Sequence, residues 1–440
     1  MTSFPLGSTL AVRKRSSGYT NRQIRLVLAF ALLGTLLDGA ELNIIGYPLT
    51  YISHTLAVST KSLVEVTTLQ GFASIAGGLV FGWLGDLLGR KWTYVMCVVS
   101  FGVAAILGGL AGSYESLLLT RLLAGIGMGG LFGLGYSMFT ECWEVRDRGT
   151  VGGLIQSMYF VGEIVTEGVI FACLSLFGHT DGWRNGYIIL GAVSLVVAGL
   201  AAMLLPESEQ WRTYQARLRA GDLSPEQRRG TVPLFDLFRP KMARGTMLFV
   251  IIATCLFLTT NSMIVYLSTF LMKVEHLSLG RSSLIVLFGY LVTAASYVLT
   301  GRISDRISRR WAFVAACAFG SIGFAWFLAL VVSHADHISA AYWTSPAFWA
   351  LMMCAGAASG FGVLGVWLSE FLPTRLRSTG SNFAYYGGRG LGAGVYPLFA
   401  LDIAGSVPMA LALGIAGPVV GGVAALVAPD YSGREISAVE

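Results

Sequence analysis

Long apolar runs separated by short polar segments dominate this chain. The runs reach the ~20 residues that a helix needs to cross a bilayer, and they lack the strict alternation of barrel strands. The pattern therefore predicts an all-α membrane protein with twelve transmembrane helices. The predicted spans are Ile24–Leu49, Leu63–Trp83, Trp92–Ala111, Leu117–Phe139, Val151–Phe177, Tyr187–Leu205, Met247–Leu271, Ser282–Thr300, Trp311–Val332, Pro346–Leu368, Gly380–Leu401 and Val407–Val427.

A short polar motif occurs twice, each time between two apolar runs. The segment GWLGDLLGRK (Gly82–Lys91) is repeated as GRISDRISRR (Gly301–Arg310), and FTECWEVRDRG (Phe139–Gly149) is matched by LSEFLPTRLRS (Leu368–Ser378). An internal repeat of this kind predicts two pseudo-symmetric six-helix bundles. The residues that recur at matching positions are Gly82 and Gly301, Asp86 and Asp305, Arg90 and Arg309, Glu141 and Glu370, and Arg148 and Arg377.

The longest polar stretch, Pro206–Arg244, separates six predicted spans from the other six. It divides the chain into two helical domains. We expect an N-terminal tail over 1–23, a bundle over 24–205, a linker over 206–246, a second bundle over 247–428 and a C-terminal tail over 429–440.

Composition and charge support a membrane protein and exclude several other classes. Hydrophobic residues make up 55% and charged residues only 12%, whereas soluble domains carry about 25% charged residues. Most Lys and Arg residues lie in the tails and the even-numbered loops, which predicts that both termini are cytoplasmic and that the protein lies in the cell (inner) membrane. The net charge of +6 reflects this bias rather than nucleic-acid binding. The opposite loops carry Lys61, Arg184, Lys273 and Arg281.

Other chemistry finds little support in the sequence. The six cysteines form no CxxC pair, so we expect neither a metal site nor a disulfide, and no cofactor. Nucleotide-binding loops and nucleophile constellations are lacking, which argues against an enzyme. We expect a monomer in the lipid bilayer whose partners are protons and a small-molecule substrate.

Six ionisable residues fall inside predicted spans, where each costs roughly 2.5–3.5 kcal/mol on insertion scales. Both acidic pairs are spaced so that each lies on one helix face. Four buried acids against two bases leave a surplus of carboxylates. Burial and like charge favour their protonated forms, so the pattern predicts proton coupling. The six residues are Asp38, Glu41, Arg121, Glu163, Glu167 and Arg389.

Two stripes of polar residues at helical spacing predict a substrate site. One in the fifth span consists of Gln156, Tyr159, Glu163 and Glu167; another in the eleventh consists of Asn382, Tyr386 and Arg389. A guanidinium with adjacent aromatic rings suits a carboxylate. Two alternatives stay open: polar contacts between helices, and internal pairing of Arg389 with Glu163 or Glu167.

These motifs resemble the major facilitator superfamily over essentially the whole chain. GWLGDLLGRK resembles its loop 2–3 signature, RLLAGIGMGG (Arg121–Gly130) its fourth-helix signature, and DGAE (Asp38–Glu41) the DGxD of acid:proton symporters. The resemblance covers metabolite:proton and aromatic-acid:proton symporters and sugar porters. It implies the major facilitator fold, alternating access and a gating role for the repeated motifs.

The resemblance also implies individual roles. Glu41 would carry the proton and Arg121 would be its partner, with Asp38 a second proton site. In sugar porters the positions of Gln156 and Glu163 are both glutamines, so Glu163 departs from a sugar site. Ser308 stands where the first motif has Gly89, which predicts a weaker second gate.

The sequence thus predicts a proton-coupled symporter of a small organic anion, such as an aromatic or other carboxylic acid. Two other functions stay open: a carrier or proton antiporter of cationic or zwitterionic solutes or drugs, and a sugar or polyol:proton symporter. The predicted gating residues are Gly82, Asp86, Arg90, Asp305, Arg309, Glu141, Arg148, Glu370 and Arg377.

Overall fold

The computed structural model describes residues 18–42, 44–224, 233–335, 337–338 and 341–432. The predictions for most of the two tails and for the middle of the linker concern residues 1–17, 225–232 and 433–440, which lie outside this range. Every regular element in the described residues is a helix.

Eighteen α-helices follow one another along the described residues. They are α1 (Asn21–Leu42), α2 (Leu49–Leu56), α3 (Thr60–Leu88), α4 (Arg90–Gly109), α5 (Tyr114–Met128), α6 (Leu131–Cys142), α7 (Arg148–Leu204), α8 (Glu209–Ala220), α9 (Pro233–Asp236), α10 (Pro240–Thr269), α11 (Leu279–Ser304), α12 (Arg309–Val332), α13 (Pro346–Gly356), α14 (Phe361–Phe371), α15 (Arg377–Arg389), α16 (Tyr396–Ala404), α17 (Val407–Ala412) and α18 (Ala416–Val427). Phe270–Val274 and Gly390–Val395 are π-helical.

Ten helical stretches of the described chain are long and apolar enough to cross a membrane. All predicted spans except the eleventh correspond to one of these stretches or to part of one. The fifth and sixth spans share the stretch Val145–Leu204, which turns back at Gly178, where φ is 77°. The eleventh is divided between α15, a π-helical segment and α16. The first span is shorter than predicted, since α1 ends at Leu42 rather than Leu49.

The helices differ in how much lipid-facing surface they keep. Over its most apolar 18 residues, Pro346–Phe371 is 94% buried and Tyr114–Cys142 is 72% buried. The corresponding segments of Gly280–Ser304 and Arg309–Val332 are each 33% buried. The former two stretches therefore lie inside the bundle and the latter two at its periphery.

Glycines bring α1 and α7 into backbone contact. A side chain at Gly39 would collide with the carbonyl of Tyr159, and one at Gly162 with the carbonyl of Leu36. Small residues at such crossings let membrane helices approach closely. This approach places the acids of α1 beside the polar stripe of α7.

Candidate functional site

A cavity of about 220 Å³ lies between the two bundles. Arg389 is the one charged residue among the described residues that line it, and aromatic rings form much of its wall. Its polar lining consists of Thr67, Thr68, Gln156, Tyr159, Thr260, Asn261, Tyr297, Tyr385 and Arg389, and its aromatic and aliphatic lining includes Phe160, Phe257, Phe361, Leu42, Val64, Ile264 and Val265.

Arg389 lies close to Asp38 of α1, which is not among the described residues that line the cavity. Asp38 Oδ1 lies 3.9 Å from Arg389 Nη1, and the two side chains are 6% and 3% exposed. Asp38 Oδ1 and both terminal nitrogens of Arg389 have no hydrogen-bond partner among the described residues. The guanidinium also lies 5.8 Å from the ring of Tyr386. The site thus holds a buried cation with unused donors, paired with a carboxylate too distant for a hydrogen bond.

Glu41 and Arg121 form a much tighter pair between α1 and α5. Glu41 Oε1 accepts a hydrogen bond from Arg121 Nη1 at 2.6 Å, and Arg121 also donates to the carbonyl of Ala104 at 3.1 Å. The guanidinium stacks 5.0 Å from the ring of Tyr187. The structure brings together the two residues that the sequence analysis paired.

The acidic residues of α7 occupy different surroundings from each other. Glu163 is buried and shares a hydrogen bond with the hydroxyl of Tyr290 in α11. Glu167 is exposed and lies near Tyr47. Neither is among the residues that line the cavity in the described chain, whereas Gln156 and Tyr159 of the same stripe are.

Asn382 and Tyr386 of α15 bind neighbouring helices instead of lining the cavity. Asn382 accepts the N–H of Gly133 at 2.6 Å and donates to the carbonyl of Gly130 at 3.2 Å. The hydroxyl of Tyr386 donates to the carbonyl of Met128 at 2.6 Å. Together they satisfy backbone groups where the fourth span breaks between α5 and α6, as buried polar groups require.

Tyr385, which the sequence analysis did not select, takes the place in the cavity wall that was predicted for its neighbours. Its ring stacks on Phe132 with centroids 3.7 Å apart. It lies next to Tyr386 in the chain, one residue outside the polar stripe that the sequence predicts for the eleventh span.

The repeated motifs meet the opposite bundle at one end of the molecule, which carries the basic pairs at 90–91 and 309–310. We call it the basic end. There Asp86 caps the first turn of α15: it accepts the N–H of Ser378 at 3.2 Å and the N–H and hydroxyl of Thr379 at 2.9 and 2.7 Å. Arg90 lies 3.5 Å from Asp86. A carboxylate is favoured there because helix N-termini carry unsatisfied N–H groups and partial positive charge.

The second motif repeats this arrangement in the reverse direction. Asp305 accepts the N–H groups of Gly149 and Thr150, each at 2.7 Å, and the hydroxyl of Thr150 at 2.7 Å. These residues form the first turn of α7. Arg309 donates to Asp305 at 2.7 Å. Each motif therefore caps a helix of the other bundle.

Two buried glutamates complete the contact between bundles. Glu141 accepts a hydrogen bond from Arg377 at 2.6 Å. Glu370 accepts two from Arg309, each at 3.1 Å, and one from Arg148 at 3.2 Å. Both carboxylates bridge to a residue of the opposite bundle, and we refer to them with the two aspartates as the basic-end network.

The glycines of the motifs allow the bundles to approach at this end. A side chain at Gly82 would collide with the backbone of Thr379, and one at Gly301 with the carbonyl of Gly149. These contacts place the backbones of opposite bundles against each other, so the predicted gating positions lie at an inter-bundle contact.

Ser308 adopts a different backbone conformation from Gly89. Gly89 adopts φ 109°, where glycine is favoured, but Ser308 is extended and its hydroxyl accepts the N–H of Trp311. The aspartate–arginine distance of the second motif, 2.7 Å, is shorter than the 3.5 Å of the first. The aspartate–arginine contact is therefore present in both motifs.

The segment before α1 and the start of α8 also contact this network. The hydroxyl of Tyr19 accepts the N–H of Glu209 at 2.7 Å, and Ser208 donates a hydrogen bond to Glu141. Burial raises the pKa of Tyr19 above its usual range, so the phenol stays neutral. Residues outside the spans thus support the basic-end network.

Replacing Asp86 by asparagine should open the basic end. Asparagine loses the negative charge that caps α15 and attracts Arg90. The readout is a cysteine at Ser137, a buried residue whose hydroxyl contacts Ser378. Asp86→Asn should raise its labelling by a bulky water-soluble thiol reagent several-fold.

The six native cysteines are buried, so the parent without the added cysteine measures background labelling. Glu115→Gln is the matched control, because Glu115 is exposed on α5. Equal labelling of the Asp86→Asn and control proteins would contradict a gating role.

This chain is similar to known membrane transporters over most of its length. The family model described as Major Facilitator Superfamily matches residues 31–397. A probable 4-methylmuconolactone transporter of Cupriavidus pinatubonensis is 25% identical over 363 residues, which cover 82% of this chain and 79% of that protein. The cis,cis-muconate transport protein of Acinetobacter baylyi is 26% identical over 378 residues, covering 85% and 86%.

Solved structures show the same fold. The proton:xylose symporter XylE of Escherichia coli, in a structure with 6-bromo-6-deoxy-D-glucose, superposes with a TM-score of 0.77 at 18% identity. The match covers 96% of this chain and 100% of that one. At this identity the likeness concerns the fold, and the site must be interpreted from its own residues.

Proposed function

Since this chain belongs to the Major Facilitator Superfamily of membrane transporters, we propose that it is a proton-coupled symporter of a small organic anion. The favoured substrates are aromatic or other unsaturated carboxylic acids. Transport proceeds by alternating access, with the two bundles rocking about the central cavity.

One observation supports a carboxylate as the substrate. Arg389 is buried in the cavity wall and both of its terminal nitrogens lack a hydrogen-bond partner in the described chain. Buried donors are normally satisfied, so this guanidinium calls for a ligand. A planar fork of N–H groups matches a carboxylate in a bidentate geometry.

The cavity wall and the relatives support an unsaturated acid. Six aromatic rings line the cavity, and they favour flat conjugated substrates. Relatives named for transport of cis,cis-muconate and 4-methylmuconolactone are similar over most of the chain. The aromatic lining is Tyr159, Phe160, Phe257, Tyr297, Phe361 and Tyr385.

Charge and shape support an outward-facing arrangement of the two bundles. The basic end faces the cytoplasm by the positive-inside rule. The bundles are joined there, whereas the cavity extends to Thr67 and Thr68 near the other end of α3. In this arrangement the cavity lies toward the side opposite the cytoplasm. The acids Asp38 and Glu41 of α1 provide the proton sites.

The two alternative functions have less support. A cation carrier needs an acid in the cavity wall, but the charged residue there among the described residues is Arg389. A sugar porter relies on amide groups at the positions of Gln156 and Glu163, and Glu163 is directed to Tyr290 instead.

Binding of benzoate provides the test. Benzoate and cis,cis-muconate should raise the melting temperature of the purified full-length protein by several degrees. Benzamide, which has the same shape as benzoate without its charge, is the matched control and should have little effect, as should benzylamine and xylose. Stabilisation by benzylamine or xylose, with none by either acid, would overturn the proposed function.

A further inference from the structure

We propose that the substrate carboxylate competes with Asp38 for the guanidinium of Arg389, so that Asp38 takes up one proton for each monocarboxylate bound. The inference rests on the proposed function and assigns the substrate-linked proton to one of its two acids. The substrate enters as an anion, the proton comes from solvent, and no covalent bond other than the O–H bond of Asp38 is made.

The geometry of the Asp38–Arg389 pair favours this competition. At 3.9 Å the charges of Asp38 and Arg389 attract each other, but their atoms do not form a hydrogen bond. Arg389 also lines the cavity, so its guanidinium lies beside the space that a carboxylate would occupy. An incoming anion that makes two short charge-assisted bonds replaces a longer, weaker contact.

The surroundings of Asp38 favour its protonation once the substrate is bound. The titratable and charged groups that face it are Arg389, Glu41 and the phenols of Tyr159, Tyr385 and Tyr386. Arg389 is the one cation in this set of described groups. When a substrate neutralises Arg389, Asp38 is left buried beside neutral hydroxyls and another acid. A buried carboxylate without a cation is strongly disfavoured, and protonation relieves this.

Glu41 does not have this relation to the cavity. Its hydrogen bond to Arg121 measures 2.6 Å, and Arg121 is held further by a carbonyl and by the ring of Tyr187. In the described chain neither Glu41 nor Arg121 lines the cavity. A substrate anion at Arg389 therefore leaves this pair intact.

The exchange keeps the charge of the site constant. The empty site holds Arg389 with an ionised Asp38, and the loaded site holds Arg389 with the substrate anion and a neutral Asp38. Both have no net charge. One proton accompanies one monocarboxylate, and the transport cycle is electroneutral at this site.

Calorimetry of benzoate binding tests the assignment. Titrations of the full-length protein at pH 7, in phosphate and in Tris, report protons taken up because the two buffers differ in ionisation enthalpy. The wild type should take up close to one proton per benzoate and Asp38→Asn close to none. In the wild type the affinity should fall up to ~10-fold per pH unit where Asp38 is ionised in the empty carrier, and in Asp38→Asn it should not depend on pH.

Glu41→Gln distinguishes the two acids and remains informative where Asp38→Asn does not fold. Proton uptake that persists in Glu41→Gln supports Asp38 as the site. Uptake that is lost in Glu41→Gln, or retained in Asp38→Asn, overturns the inference. Failure of benzoate to bind the wild type is a different result, which refutes the proposed function instead.

Discussion

Replacing Arg389 by alanine should abolish the stabilisation of the protein by benzoate. The guanidinium supplies the one positive charge that the described residues place in the cavity wall. Truncating one partner of a buried charge pair costs about 2–5 kcal/mol, which corresponds to a roughly 30- to 4,000-fold weaker affinity. Calorimetry or thermal shift across a benzoate titration measures this loss.

Two variants make this result specific. Arg389→Lys keeps the charge but not the planar fork, so it should bind benzoate with intermediate affinity. Arg146→Ala removes an exposed arginine outside the cavity and should leave binding unchanged. Wild-type affinity in folded Arg389→Ala would show that the carboxylate is held elsewhere.

Replacing Glu41 by alanine should destabilise the fold more than any other change considered. Arg121 would stay buried, with its side chain 0% exposed and its ionic partner removed. Breaking a buried pair in this way lowers the free energy of unfolding by about 3–5 kcal/mol. Thermal and denaturant unfolding in detergent measure the change.

Glu41→Gln should cost less, because its amide oxygen still accepts a hydrogen bond from Arg121. Glu115→Ala is the matched control, since it removes an exposed glutamate and should change stability little. If Glu41→Ala unfolds at the same temperature as the wild type, the pair does not stabilise the contact between α1 and α5.

The architecture was predictable because hydropathy and the internal repeat are written along the chain. The ends of the individual helices were less predictable. The predicted first span ran on to Leu49 because the residues after Leu42 are also apolar, and hydropathy does not show where hydrogen bonding stops. The break between the fifth and sixth spans was better predicted: α7 turns at Gly178, next to the predicted end of the fifth span at Phe177.

The candidate site was also predictable only in part. Resemblance paired Glu41 with Arg121, but the partner of Arg389 depends on how the two bundles pack. The sequence left Glu163 or Glu167 open as its partner, and the structure gives Arg389 an ion pair with Asp38. Spacing grouped Asn382 with Arg389 on one helix face, yet the short side chain binds an adjacent backbone while the long one reaches the cavity.

The reciprocal caps have a consequence for how this chain can evolve. Asp86 and Asp305 bind mainly backbone N–H groups, which every residue except proline supplies. Mutational drift at Ser378, which donates its N–H to Asp86, therefore need not be matched by a change in that aspartate. The two aspartates lack this freedom. After a duplication, the backbone N–H donors of the two caps can therefore come from different residue types, while the aspartate acceptors stay the same.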